Sequence, residues 1–581
     1  MKTVIFFLTL FFNSILFATN YYISHDKDNH LLIKTDSFEV KTSLEELLSV
    51  AKEGDVYYFK RGEYFNLNIE IKSQKNLSFL SYGDKNKPLP VIDASTKIII
   101  DQTSLDIIYD VSKKRFYDKS WREIEKDFSK YYNIQSTVTK KSIAKDFKEV
   151  RGDIVSMARF KLSLPKYGYY DPNAMRIFYG NKELLKILLF EEFKCKECKE
   201  KIRWYFEQKS GYLYIFTLSQ DIDIEKVVNN LSINNDSLSA FGITDSQNIM
   251  IKGLDLRGGK YALLIKASKN IKVFDSNIGN YSFTGVYIIS DKTPSSHITI
   301  ANSLIDSKFY FKNYRFYSSR GSQDGIFLIG NVHSCIIKKC DINNWGHNGI
   351  TLYSVDETNR VSNNYIALNK ISGKEIAYMH GIIVDNKYCT NNKIVSNLIT
   401  DISAPNQING MSNTFENNTV ISVKNSSVKK DQGYGSGIAL QIQAYGKDNA
   451  AIGNIIKNNS FINCESEGLS LYDNGYDGVK KNNIIKENRF VNCSINPFNK
   501  QKGVYIEVSK YHPSNMINNS FVKNLFYEES SKLLIDYKGK YLDIDAFNKV
   551  KGNKDNEIIS PLLIDEDEII QNFELERRRS R

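Results

Sequence analysis

Between about residues 245 and 525 the chain falls into short runs in which apolar and polar positions alternate, each opened by a glycine. The runs are TGVYII (284–289), DGIFLI (324–329), NGITLY (348–353), HGIIVD (380–385), SGIALQ (436–441), EGLSLY (467–472) and KGVYIE (502–507). Alternation over four to six residues predicts strands. Counting the residue before the glycine as position zero, positions two and four are expected to face a core, and positions three and five to point outward. A second set reads Asn-x-apolar: Asn369-Lys370-Ile371, Asn397-Leu398-Ile399, Asn418-Thr419-Val420, Asn459-Ser460-Phe461, Asn488-Arg489-Phe490 and Asn519-Ser520-Phe521. The two sets keep step, since eight residues separate both Cys340 from Asn348 and Asn459 from Glu467.

Short strands recurring with Asn and Gly at the corners, and no helical period between them, predict a coil in which each repeat adds one turn. Each strand then pairs in parallel with its counterpart one turn on, at ~4.8 Å. Asn suits the corners because its amide bonds to neighbouring backbone and it tolerates left-handed geometry, so the stacked amides are expected to form a ladder. Ile326, Ile350, Ile382, Ile438 and Leu469 are expected in one interior column. Cys464 and Cys493 each follow their ladder Asn by five residues, which puts them on adjacent turns as a disulfide or as two stacked thiols.

These residues resemble the right-handed parallel β-helix, the pectin-lyase-like superfamily. SLEELLSVAKEGDVYYFKRGEYFN (43–66) resembles that family's opening, a capping helix followed by a Gly-Asp turn and the first strand. SGYLYIF (210–216) and LSAFGITDSQNIMIKGLDLRGG (238–259) resemble re-entry into regular turns, and YLDIDAFNKVKGNKDNEIISPLL (541–563) resembles the closing element of secreted polysaccharide-active members. The resemblance implies an all-β solenoid with an N-terminal cap helix and a β-rich insertion. The expected organisation is a signal peptide over 1–18, cap and first turns over 19–100, an insertion over 101–237, repeats over 238–527 and a C-terminal cap and tail over 528–581. An insertion beside a coil can wall a cleft that the coil itself lacks.

Composition narrows the class. The 581 residues are 41% apolar and 12% aromatic with nine prolines, which excludes disorder, and Lys+Arg exceed Asp+Glu by 78 − 67 = +11. Lys2, an apolar run from Val4 to Phe12 and Ala18 read as an export signal, giving a periplasmic or secreted protein of net charge roughly +10 after processing. No later stretch approaches the ~18 apolar residues of a membrane span. Seven cysteines are odd in number, and the lone Cys195-x-x-Cys198 lacks partners for a zinc site, so a loop-closing disulfide is the better reading. Scattered basic residues disfavour nucleic acid.

Candidate chemistry sits in two outward lanes. Position five reads Ile329, Tyr353, Asp385, Gln441, Tyr472 and Glu507, and position zero reads Asp324, Asn348, His380, Ser436, Glu467 and Lys502, with His347 and Tyr378 beside it. Aromatic, amide and carboxylate groups suit a sugar groove, although outward positions of a solenoid are polar in any case and corner residues also serve turn geometry. Tyr353 and Asp385 on adjacent turns form an acid/base pair or a plain hydrogen bond. His347 and His380 are candidate bases. Strand length puts the lanes ~16 Å apart, as opposite rims of one surface. Arg315 and Arg320, in the aromatic insertion YFKNYRFYSSRGSQDG (310–325), suit carboxylate recognition. Asp473 and Asp477 could take calcium, but no metal or cofactor motif is complete.

The leading expectation is an enzyme acting on a polysaccharide, lyase or hydrolase. The alternatives are a carbohydrate-binding or surface structural protein on the same fold, or a periplasmic accessory of a metal maturation system, the last weakened by only seven Met and seven His. Asp385 and Glu507 are four turns apart, ~19 Å, too far for a glycosidase carboxyl pair. That tilts the reaction towards β-elimination of an acidic glycan, with His380 or His347 as base, Arg320 neutralising the uronate, and Tyr353 and Asp385 positioning substrate. Asp324, Gln441, Tyr472, Glu507 and Arg315 are expected to bind it. Oligomeric state is not legible.

Overall fold

The structure, a computed structural model, describes residues 18–26, 28, 30–100, 105–110, 115–116, 156–163, 175–179, 182–186, 201–207, 211–307, 324–373, 379–424, 436–444, 446, 448–471, 478–495, 504–508, 512–527, 534–559 and 565–580. Three long sheets, of fifteen, fourteen and thirteen strands, run the length of a right-handed parallel β-helix. Each turn contributes one strand to each. In one turn these are Ile336–Lys338, Asp341–Asn343 and Asn348–Tyr353; their partners one turn on are Tyr365–Ala367, Lys370–Ser372 and His380–Asp385. We call these the first, third and Gly-strand sheets.

The coil closes because local chemistry bends the chain at the corners. The residue before a ladder asparagine repeatedly takes the left-handed conformation, as at Asn391 (φ 57), Asn417 (φ 54), Asn458 (φ 54) and Glu487 (φ 56), which turns the strand while leaving the next amide pointing inward. Two asparagine ladders result where the sequence predicted one. Asn364, Asn392, Asn413, Asn454, Asn483 and Asn519 form the first. Asn369, Asn397, Asn418, Asn459, Asn488, Asn524 and Asn556 form the second. Asn519 therefore continues the Asn483 line, and Asn524 is the partner of Asn488. Serines do the same work in earlier turns, where Ser246 N donates to Ser268 Oγ at 3.1 Å, and Cys340 N donates to Asn369 Oδ1 at 3.0 Å.

The interior columns are apolar, with Phe461, Phe490 and Phe526 stacked at 5.2 and 5.1 Å. One expected column is corrected. Ile326, Ile350 and Ile382 do align, but a short extra rung, Asn406–Ile408, follows, and Leu440 rather than Ile438 leads on to Leu469. The SGIALQ segment is thus two residues out of step with the earlier glycine runs. Cys464 and Cys493 are register partners, and both are free and buried.

The capping helix Leu44–Ser49 starts at a capping box made by Ser43 and Glu46, and covers the open end of the coil with Leu44, Leu47 and Leu48. Val91–Asp93 pairs with Asp255–Arg257 as the next rung, so the chain between them leaves and rejoins the coil. It forms a six-stranded and a four-stranded sheet around Trp204, Phe160, Met175 and Ile177. Tyr212–Thr217, expected as re-entry, instead pairs antiparallel with Ser156–Lys161 inside this insertion; the coil resumes at Ser239–Thr244. Cys195 and Cys198 lie outside the described residues. At the far end, helix Glu566–Arg579 lays Ile569, Ile570 and Phe573 on Leu398, Ile421, Ile462 and Val491 of the third sheet. No described helix is long and apolar enough to cross a membrane.

Candidate active site

The corner between the third and Gly-strand sheets gathers the titratable groups. Thr284, Asp324, Asn348 and His380 occupy one column on successive turns. Asp324 is fully buried, so the exposed place expected for it is corrected. Its carboxylate is consumed from within: Oδ1 accepts from Asn348 N at 3.2 Å and lies 3.3 Å from His347 Nδ1, while Oδ2 accepts from Thr351 Oγ1 at 2.5 Å and Asn348 Nδ2 at 3.3 Å. A carboxylate only accepts, so His347 Nδ1 carries the hydrogen. The His347 side chain is 35% exposed against 1% for Asp324, so Asp324 is the buried partner and His347 the reachable one.

His380 sits with its ring centroid 5.8 Å from that of His347. Its Nδ1 lies 2.6 Å from the Pro405 carbonyl, which again requires the hydrogen on Nδ1. Burial, and next the charge of His347, push its pKa down to about 3. It is a neutral imidazole across the physiological range and a poor proton acceptor.

Tyr353 and Asp385 are register partners on adjacent turns, as the spacing predicts. Burial raises the Asp385 carboxyl above the usual range, against a hydrogen bond from Asn409 Nδ2 at 3.2 Å. Burial and then the charge of Asp385 raise Tyr353. This pair and the histidine pair occupy opposite ends of the strands Asn348–Tyr353 and His380–Asp385. Gln441 and Glu507 do not share the Asp385 lane. Their register partners are Gln407 and Ser470, two positions nearer the histidines, and both side chains are buried, with Ser470 Oγ donating to Glu507 Oε2 at 2.9 Å. The two-residue slip that displaced Ile438 is the reason for Gln441; the EGLSLY run is back in step at Leu469, and a second slip of the same size, which pairs Leu469 with Ile506, moves Glu507. Arg315, Arg320, Tyr378, Tyr472, Asp473 and Asp477 lie outside the described residues.

Sequence reasoning passed over Thr351, a small hydroxyl at position three between Phe327 and Ile383 in register. The carbonyl of Pro405 carried no signal. Among the described residues the single grouping with metal-ligand geometry is the exposed Asp26, Asp28 and His30, whose contacts are those of an ordinary turn closed on Asp26 Oδ1.

No family model matches the sequence, and no curated protein does. Among solved structures, the complex of XylC with xylose is similar over 90% of this chain and 83% of that one, at 11% identity and a TM-score of 0.37. A GH87 α-1,3-glucanase from Streptomyces thermodiastaticus covers 55% of each chain at 11% identity and a TM-score of 0.38, so this chain spans about half of it. A mannuronic acid specific polysaccharide family 6 lyase from human gut microbiota matches 59% of this chain and 85% of its own, at 13% identity and a TM-score of 0.35. At such scores the likeness concerns the fold alone.

Proposed function

We propose that this right-handed parallel β-helix, built like those of the pectin-lyase-like superfamily, is an exported enzyme that cleaves an acidic polysaccharide by β-elimination, with His347 as base. The observation that carries the reading is the Asp324–His347 pair: a buried carboxylate accepts from Nδ1 of a partly exposed imidazole, which leaves Nε2 as the nitrogen that would take a proton. In the reaction His347 takes the C5 proton of a uronic acid residue. The electron pair left at C5 forms the C4=C5 bond, the C4–O bond breaks, and the departing oxygen takes a proton from the imidazolium. Hydrolysis needs two carboxyl groups about 5 to 9.5 Å apart. Here Asp324 is committed to His347, and Asp385 is held at the far end of its strand. The net charge of roughly +10 left after processing favours a polyanion. Tyr353 and Asp385 are assigned to substrate positioning, and Arg320 to neutralising the uronate. Export rests on the Lys2 and Val4 to Phe12 pattern.

The test is incubation of the full chain with polygalacturonate, alginate, xylan and mannan. Ultraviolet absorbance from unsaturated uronate ends, lost in His347→Ala, is the expected outcome. New reducing ends without unsaturation would reassign the enzyme as a hydrolase, and no product from any of the four would overturn the enzymatic reading. Finding the protein inside the cell with Met1 retained would refute export.

A further inference from the structure

Two turns before the His347 corner, the outer surface of the Gly-strand sheet changes character. Tyr261 and Tyr287 stack in parallel, with centroids 4.5 Å apart and planes 1° apart. Phe283 stands edge-on to both at 5.8 and 6.0 Å, and Phe327 approaches Tyr287 at 5.6 Å. All four rings are only half-buried, unlike the fully buried aromatic stack inside the coil. Polar groups rim them. Lys260 Nζ is 5.3 Å from the Phe283 centroid and 5.8 Å from that of Tyr261. Asp236 accepts from Ser282 Oγ at 2.6 Å; burial raises its carboxyl, opposed by that hydrogen bond and by Lys260.

We infer that Tyr261, Phe283, Tyr287 and Phe327 form a platform for a pyranose ring of the glycan, with Lys260 and Asp236 meeting its hydroxyls. This rests on the reading that the same face handles a polysaccharide. A purely apolar partner would leave the Lys260 ammonium and the two phenol hydroxyls facing it without partners; a sugar ring offers C–H groups on its faces and hydroxyls around its rim, which is the complementary pattern. The platform is also continuous with the proposed catalytic corner. Leu264, Tyr287, Phe327 and Thr351 are successive members of one outer column, and Thr351 Oγ1 donates to Asp324. Tyr287 is two turns from Thr351, roughly 10 Å, the reach of a neighbouring sugar on the same chain. The polysaccharide therefore lies along the coil axis, and the platform holds residues on the side of the N-terminal turns.

Binding is measured in the full-length His347→Ala protein, so that turnover does not consume the probe, with hexasaccharides of polygalacturonate, alginate, xylan and mannan. Adding Phe283→Ala or Tyr261→Ala is expected to weaken binding of the best probe by about tenfold or more. Phe283→Leu keeps the apolar bulk without the ring and is expected to weaken it similarly, while Tyr261→Phe stays within about threefold; melting curves confirm that each variant folds. Unchanged binding in both alanine variants overturns the platform even if the wild type cleaves the polymer. Binding that is lost in them, in a protein that cleaves nothing, sustains the platform and refutes the enzymatic reading. No binding of any probe overturns both.

Discussion

His347 and Asp324 are a residue-scale device whose value depends on each keeping its role. Asp324→Asn removes the charge that orients Nδ1–H and stabilises the imidazolium, and the amide can turn its donor towards His347. Activity, measured as the rate of unsaturated-product formation well below the melting transition, is expected to fall about 10²-fold, and the melting temperature falls too because the amide nitrogen cannot accept from the donors that meet one carboxylate oxygen; undiminished activity would separate His347 from the chemistry. His380 contributes to acid sensitivity instead. Its pKa is pushed down to about 3 in the folded chain, against about 6.5 when unfolded, so between these values the unfolded state binds the extra proton. The stabilisation from keeping His380 neutral is complete above about pH 6.5 and is lost as pH falls towards 3, at up to about 1.4 kcal/mol per pH unit. Denaturant midpoints from pH 7 to 4 should show a steeper decline for the wild type than for His380→Gln; equal slopes would remove this assignment.

At the scale of one turn, stability is concentrated in the ladders. Asn418 Oδ1 accepts from Asn397 N and Nδ2, each at 2.9 Å, while its own amide donates to Ile394 O at 2.9 Å and Asn459 Oδ1 at 3.2 Å. All of this is buried, so Asn418→Ala strands partners on both neighbouring turns and is expected to cost about 3 kcal/mol in urea unfolding. Asn492, whose Nδ2 donates to Asn463 Oδ1 at an exposed site, is the control; its backbone is left-handed (φ 49), so its alanine variant should cost about 1 kcal/mol. Equal effects would mean the ladder is not what holds the corners. The second-half ladder was legible in the sequence because Asn is distinctive there. The earlier serine steps were not, since Ser is common in any turn.

For the molecule as a whole, the insertion must be fastened to the coil for a cleft to exist between them. Arg176, from the insertion strand region, is fully buried; its guanidinium donates to Tyr281 O and, at 2.8 Å, to Ser307 O, beside the corner that carries Thr284. Arg176→Met keeps the length and loses those bonds, with an expected cost of about 3 kcal/mol and faster proteolysis within 101–237. Cleavage at the wild-type rate would show that the clip is dispensable. The sequence by itself determined the parallel coil, its capping helix and the adjacency of His347 with His380 and of Tyr353 with Asp385, because side-chain alternation and corner residues are local properties that repeat. Only the tertiary structure decided the register beyond Asp385, where a rung Asn406–Ile408 intervenes and the SGIALQ and KGVYIE runs each slip by two residues, which puts Gln441 and Glu507 in another column. It also decided that Asp324 is buried against His347 and that His380 is held neutral. Burial and partner choice depend on what neighbouring turns and loops cover, and that information is not carried by the spacing along the chain.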